Sequence, residues 1–476
     1  MIERLREVSL AGFVVALVLV ALAIDLTTDD VRPPAAAAPA TGFFERAVYC
    51  PPSPFKGGSS ESLTVAPATT DTTAVSVQPL RSDPIEIEPA QQVTVDVRGT
   101  ASLEAVGYGG PVRSGVAGKL VTTIEKQGAV DGIAAATCAL SASSEWYLPA
   151  GSSVIGNDEN LLIANPFPSE AVVKVFFVTS RGQEASSELS DVAVPPGASV
   201  RVDLSDAALP TDALGVRLAA ERGRVVAWKG LLTKVDDQPS GYALSLGAPG
   251  PATSWYFPHA RIDDGAKQVI TIMNPNEREA GVSITLERGD RVVQASRLLE
   301  IVVPPLTNKA YDLSKFLDKD QAALGEVSAL VRVNNDVPVV AESTVMYGRR
   351  PLRGVTTEVG ATEPHRRWLV APAAASADKD VLAFMNPGNT DATVDVSFFT
   401  EEGEARTPEE MQGLIVPSGL RLKLPVAAAT GGRPLMARVT ADAPIVVGRF
   451  AYSSKLEDVA DVIGQPAGRL EFGELP

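Results

Sequence analysis

Two histidines and two cysteines are the whole stock of the side chains that most often carry enzymatic chemistry in this chain of 476 residues. His259 and His365 sit in equivalent segments flanking a tryptophan strand, and neither has a nearby Cys or a second His at helical spacing to complete a metal site. Both read as surface-turn residues. Serine hydrolysis needs a nucleophile, a base and an orienter, and no Gly-x-Ser-x-Gly elbow is present. No glycine-rich phosphate loop leads from a strand into a helix either. Cys50 and Cys138 lack the spacing of a metal or redox pair. Because both follow an N-terminal apolar segment that would export them, a disulfide is expected, closing a loop of about ninety residues.

The remaining chemical signal is an acidic turn that recurs three times, as Asn157-Asp158-Glu159-Asn160, Asp263-Asp264-Gly265 and Asp378-Lys379-Asp380. Asp158, Asp263, Asp264, Asp378 and Asp380 are the residues that a calcium clamp between domains would use. The same residue types are what turns use, and turn chemistry is the preferred reading because the spacing varies. Carboxylates adjacent in one turn rarely face each other across a sugar, which argues against glycoside hydrolysis. A net charge of -16 argues against a nucleic-acid surface. No cofactor is expected.

What positions these residues is a repeat. Trp146-Tyr147-Leu148-Pro149 returns as Trp255-Tyr256-Phe257-Pro258 and Trp368-Leu369-Val370-Ala371. Asn165-Pro166, Asn274-Pro275 and Asn386-Pro387 follow at near-constant spacing, and then Val194-Pro195-Pro196, Val303-Pro304-Pro305 and Val416-Pro417-Ser418. Period-2 runs such as Val173, Val175, Phe177 and Val282, Ile284, Leu286 end in Gly turns, the pattern of antiparallel hairpins. The composition, 45% hydrophobic but only 5% aromatic, suits short strands better than long helices.

The expected fold is therefore all-β, a tandem array of Ig-like, Greek-key β-sandwich repeats following one N-terminal transmembrane helix. Residues 1–7 form a cytoplasmic stub, 8–26 a signal-anchor, and 27–47 an Ala/Pro-rich spacer. A cleaved signal peptide is the rival to the anchor. Repeats follow at 48–145, 146–254, 255–367 and 368–476, the first degenerate. In it, Gln78-Pro79 is aligned with the Asn-Pro pairs, Val93-Asp96 with Val200-Asp203, and residues 57–73 are expected to be loosely ordered. Phe472 marks a closing copy of the tryptophan strand, which suggests that neighbouring repeats share strands in a stiff rod; a curled array is the alternative. The repeat-defining Trp146, Trp255 and Trp368 are expected to be buried plugs, with exposed sugar-stacking platforms as the alternative.

A signal-anchor, an early Tyr-Cys-Pro, a second Cys before Trp-Tyr-Leu-Pro and serial Asn-Pro and Val-Pro-Pro-Gly sandwiches together resemble a family of actinobacterial membrane-anchored exported proteins of unknown function. Genes of that family commonly stand beside one for a large membrane glycosyltransferase. The resemblance implies no catalytic residues. It implies an envelope role, and with the residues above it leads to one expectation: a non-enzymatic, single-pass plasma-membrane protein with its ectodomain outside, acting as a scaffold or binding partner in envelope glycan assembly. A carbohydrate-binding surface protein that contacts cell-wall glycan is the alternative, and an envelope hydrolase the third.

Overall fold

Alternating sequence becomes strand. Ala171–Thr179, Ala280–Glu287 and Ala392–Phe399 each begin by burying every second side chain. A computed structural model describes residues 46–52 and 132–467, with short breaks at 212, 234–239, 318–323, 350–351 and 375–376. Between 60 and 127 it describes the strands of the first repeat and residues 80 and 100. Structural statements below concern these residues. The stub, the anchor over 8–26, most of the spacer and Phe472 lie outside them. Among the described residues no helix is long and apolar enough to cross a membrane.

Each repeat is a two-sheet antiparallel sandwich. In the second, the inner sheet runs Ala198–Asp203, Asn157–Asn165, Val226–Thr233, Gly241–Leu246, and the outer sheet Gly182–Ala185, Ala171–Thr179, Gly215–Arg222, Glu145–Leu148. The third repeat keeps this order. In the fourth, one strand, Ala437–Ser453, passes from the outer sheet into the inner one. The first repeat has the same plan but a different alignment from the expected one. Ser60–Pro67, within the stretch read as loosely ordered, pairs on both sides in the inner sheet. Val93–Val97 pairs with Thr73–Val77 in the outer sheet, and Ala101–Glu104 takes the place of Ala198–Asp203. The sequence alignment slipped by a strand because neither segment carries the Asn or the Pro-Pro marker.

Two side chains explain why the repeat's spacing is so strict. The Asn165 amide donates to the Val194 and Ser169 carbonyls and accepts the Phe167 N–H. Asn274 does the same with Val303, Arg278 and Asn276, and Asn386 with Val416, Thr390 and Gly388. All three are buried, so each staples its Asn-Pro turn to the Val-Pro turn. The indoles are pinned as well: Trp146 and Trp255 donate to the carbonyls of Val225 and Val339, just ahead of the late strand, and Trp368 donates to that of Ile445 within the long strand of the fourth repeat. None of the three is more than 2% exposed, so burial, not sugar stacking, is their role.

The tryptophan strand belongs to its own repeat. Tyr147 pairs with Arg217 and with Ala248, and Tyr256 with Leu330 and Ala361. Strand sharing between neighbours is thus corrected. A Cβ on Gly247 would meet Leu148 and Trp146, and one on Gly360 would meet Phe257. In the first repeat this close contact is replaced by a covalent bond, because Cys138 stands at the glycine position and Cys50 at the Leu148 position, joined as a disulfide. Replacing both cysteines by alanine is expected to lower stability by about 3 kcal/mol. The check is the urea midpoint, which reduction of the native protein should lower to a similar extent; an unchanged midpoint in both cases would refute the assignment.

The rod is also corrected, because the repeats close on themselves. The edge strands of the four inner sheets, Ile133–Thr137, Gly241–Leu246, Leu352–Val359 and Asp458–Ile463, pack in a cycle: first on second, second on third, third on fourth and fourth on first. Small residues permit the approach, among them Ala134, Ala135, Ala136, Ala243 and Ala460. Each edge that a rod would leave open is covered by its neighbours. The start of the cycle is held by one carboxylate. Asp458 Oδ2 accepts the N–H of Ile133 at 3.0 Å and of Tyr242 at 3.2 Å, Oδ1 accepts that of Val459 at 2.8 Å, and the Val355 N–H bonds to the same group. The positions equivalent to Asp458 in the other three repeats are Gly132, Gly241 and Gly354. A Cβ on Gly132 or Gly354 would run into the Asp458 carboxylate. Peripheral contacts finish the closure: Thr100 of the first repeat donates to Phe399 O and Thr400 O of the fourth and accepts the Met436 N–H.

Candidate binding site on the ring axis

The far ends of the four inner strands open into a cavity of about 790 Å³ to which every repeat contributes. Its walls are largely Ala, Gly, Pro and Leu, from the strand ends and from the loops that lead to the next tryptophan strand. Three carboxyl groups line it, Glu358, Asp461 and Glu363, and no Lys or Arg does. Glu363 is exposed at the mouth, Glu358 half-buried, Asp461 buried.

The two inner carboxyls are placed by strand register. Asp461 Oδ2 accepts the Thr356 hydroxyl at 3.2 Å, and Glu358 accepts the Ile463 N–H. Burial pushes the Asp461 carboxyl up to about 7. Burial, and then the negative charge of Asp461, hold Glu358 well above the usual carboxylate range. Gln465, itself buried, completes this wall: its amide N–H donates to Cys138 O at 3.3 Å while its carbonyl oxygen has no partner. That oxygen has almost no accessible surface, so it faces protein and not the cavity.

Behind the cavity lies a second buried polar cluster. Glu342 of the third repeat accepts the Lys229 ammonium of the second at 3.0 and 3.1 Å, the hydroxyls of Ser245 and Thr357 at 2.8 and 3.0 Å, and the Ala150 N–H at 2.7 Å. Lys229 and Glu342 are essentially inaccessible. Sequence reading missed these residues and the axial carboxyls. The signal for them was a lone charge inside an apolar strand, as in Val355-Thr356-Thr357-Glu358-Val359 and Val226-Ala227-Trp228-Lys229.

The residues singled out from sequence are distributed as follows. The calcium candidates are not brought together, because they lie in three different repeats, and each serves its own. Asp380 forms an ion pair with buried Arg449, Asp378 accepts the Ser454 N–H, and Asp263 accepts the Gly265 N–H and the Arg261 guanidinium. Asp158 accepts the Asn160 amide, and Asp264 projects from its turn. Among the described residues no group of three or more His, Cys, Asp or Glu side chains is placed to hold a metal ion. His259 is not on a surface turn: it is buried in the strand Ser254–Ile262 and stacked on Phe450 of the fourth repeat, with ring centroids 4.3 Å apart. Burial, and then the positive Arg421, lower its pKa to about 3, so it stays neutral. His365 is half-buried, edge-on to Trp368, and lines the axial cavity.

No curated protein matches the chain in sequence. Residues 109–241 and 333–449, together more than half of the chain, match one family, and the matched segments take in inner strands and strand ends from around the axis. The chain belongs to that family, a family of unknown function, DUF5719.

Proposed function

We propose that this protein is a non-enzymatic, membrane-anchored binding or scaffold protein of the actinobacterial cell envelope, an accessory to glycan assembly whose partner is an envelope protein such as a membrane glycosyltransferase. The observation that carries the reading is the axis: four sandwiches are locked together by buried polar groups, and all four wall one cavity. A site assembled this way is preorganised, so little binding energy is lost to ordering it. The apolar run over 8–24 would hold the ring at the membrane, where its partner resides.

The test is in-cell crosslinking of the anchored protein, followed by mass spectrometry of what survives detergent extraction. Crosslinks from the cavity rim to a membrane glycosyltransferase are the expected result. Wall polysaccharide in place of a protein partner would overturn the reading in favour of the carbohydrate binder. His365 in the same cavity as three carboxyls is the one observation that favours a hydrolase, and release of soluble glycan by the purified protein would be its sign.

A further inference from the structure

We propose that closure of the ring is linked to proton binding: carboxyl groups buried between repeats take up protons as the ring closes, and the ring loosens as they ionise. The axial cavity is walled by all four repeats, so it is assembled only while the ring is closed. Closure is a property of the fold whatever the cavity binds; control of binding by pH rests on the role proposed above.

Three seam positions carry such carboxyls. Between the second and third repeats, Glu159 is buried beneath the loop that follows the tryptophan strand. Ser152 of that loop donates to Glu159, and Ala150 of the same loop donates to Glu342 of the third repeat. The ammonium that faces both carboxyls, Lys229, is bonded to Glu342, and one Glu159 oxygen has no partner. Between the third and fourth repeats, Glu287 is buried against Arg421, whose guanidinium is engaged with Glu326 at 3.5 Å and donates to Ser328 at 3.2 Å. Lys423 belongs to the same cluster through its bond to Glu326. On the axial side of that seam, Glu358 and Asp461 reach across it in opposite directions, to the Ile463 N–H and the Thr356 hydroxyl. Glu342, Tyr347, Glu363 and His365 stand around this pair. Asp458 lies where all four repeats meet.

A carboxyl buried in a contact holds its proton more tightly than a hydrated one, so a seam that buries it takes up a proton on closing. Burial raises Glu159 and Asp461 to about 7 and Glu287 to about 8. It also raises Glu358 and, against the N–H groups that favour its charge, Asp458. Each contributes stability that is complete below the ordinary value, 4.5 for Glu and 3.8 for Asp, and that is lost as the pH rises through the value in the closed ring. The ring therefore loosens as the pH rises from about 5 to about 8. His259, stacked on Phe450 across the seam of the third and fourth repeats, acts in the opposite sense. Held neutral, with a pKa of about 3, it contributes fully above 6.5 and less as the pH falls, one group against several.

The experiment is hydrogen exchange of the full-length protein in detergent at about pH 5 and about pH 8.5, read as protection factors so that the intrinsic rise of exchange with pH cancels. The seam-facing amides of Ile133, Tyr242, Val355 and Ile463 should lose on the order of a hundredfold in protection, while Val175, Val394 and Val396 in the outer sheets keep theirs. Equal protection of the seam amides at the two pH values overturns the proposal. A matching fall in the outer sheets also overturns it, since the protons would then be linked to folding of the sandwiches and not to the ring. The variant Glu159→Gln/Glu287→Gln/Glu358→Gln/Asp461→Asn removes four of the ionising groups and should reduce the loss at the seam amides at least about tenfold. A loss as steep as that of the native protein would sink the proposal; if the variant does not fold, the comparison of seam and outer amides in the native protein decides. No partner enters the measurement, so its failure leaves the scaffold reading standing, and failure to crosslink a partner leaves the proton-linked ring.

Discussion

Replacing Asp458 with alanine is expected to destabilise the folded chain by on the order of 5 kcal/mol, because it leaves several buried N–H groups without an acceptor and each such group costs about 1–3 kcal/mol. The donors belong to all four repeats: Ile133, Tyr242, Val355 and Val459. No other side chain can stand in, since the equivalent positions are Gly132, Gly241 and Gly354. Asp458→Asn should cost less, about 2 kcal/mol, since one amide oxygen still accepts while the amide nitrogen faces a donor. Gly354→Ala should be as damaging as the alanine variant, because its φ of 122° disfavours a side chain and the new methyl would meet the Asp458 carboxylate. Denaturant unfolding measures the loss, and hydrogen exchange locates it. Exchange at Ile133, Tyr242 and Val355 should accelerate in Asp458→Ala while the outer sheets stay protected. Unchanged protection at those three amides would show that the carboxylate does not hold the cycle closed.

Lys229→Met is the second severe change, expected to cost about 3–5 kcal/mol by leaving Glu342 as an unpaired buried charge. Ser245, Thr357 and Ala150 would still donate to it, but none carries a charge. Combining Lys229→Met with Glu342→Gln should recover most of the loss, since no charge remains and the glutamine oxygen still accepts. That recovery, a coupling of several kcal/mol in a double-mutant cycle, separates an ion pair from simple packing. Its absence would mean that Lys229 acts through its stem. The single variant should also deepen the pH dependence that comes from Glu159, which is buried against the same pair. Burial raises the Glu159 pKa to about 7 even though Lys229 opposes it. A carboxyl with a raised folded-state pKa holds its proton in the folded protein. Its contribution is therefore full below about 4.5, the unfolded value, and is lost as the pH rises through 7. Without Lys229 the loss deepens, so Lys229→Met should fall further behind the native protein at pH 8 than at pH 5.

What the sequence determined by itself is what the Asn, Val-Pro and Cys markers hold within one repeat; in the first repeat, which lacks the Asn and Pro-Pro markers, the strand alignment was not legible. The interval between Asn165 and Val194 recurs between Asn274 and Val303, because one buried amide must reach one particular carbonyl across two turns. The pairing of Cys50 with Cys138 is legible because they are the two cysteines of the chain and each stands at a repeat-defining position. The all-β class follows from period-2 runs and glycine turns. Only the tertiary structure decided how the repeats meet. Ile133 and Asp458 are separated by 325 positions, and no local pattern links them. Ring and rod use the same strands and differ only in whether the inner edges find one another, a choice made by Ala-rich surfaces and by buried polar groups that cross between repeats, Asp458 and the Lys229–Glu342 pair among them. His259 reads as a turn residue in isolation, whereas it lies in a strand and is stacked on Phe450, which the fourth repeat brings against it. The axial cavity has no sequence signature at all, since its carboxyls come from two repeats, its buried amide from a strand end, and its walls from loops that are near one another only once the ring has closed.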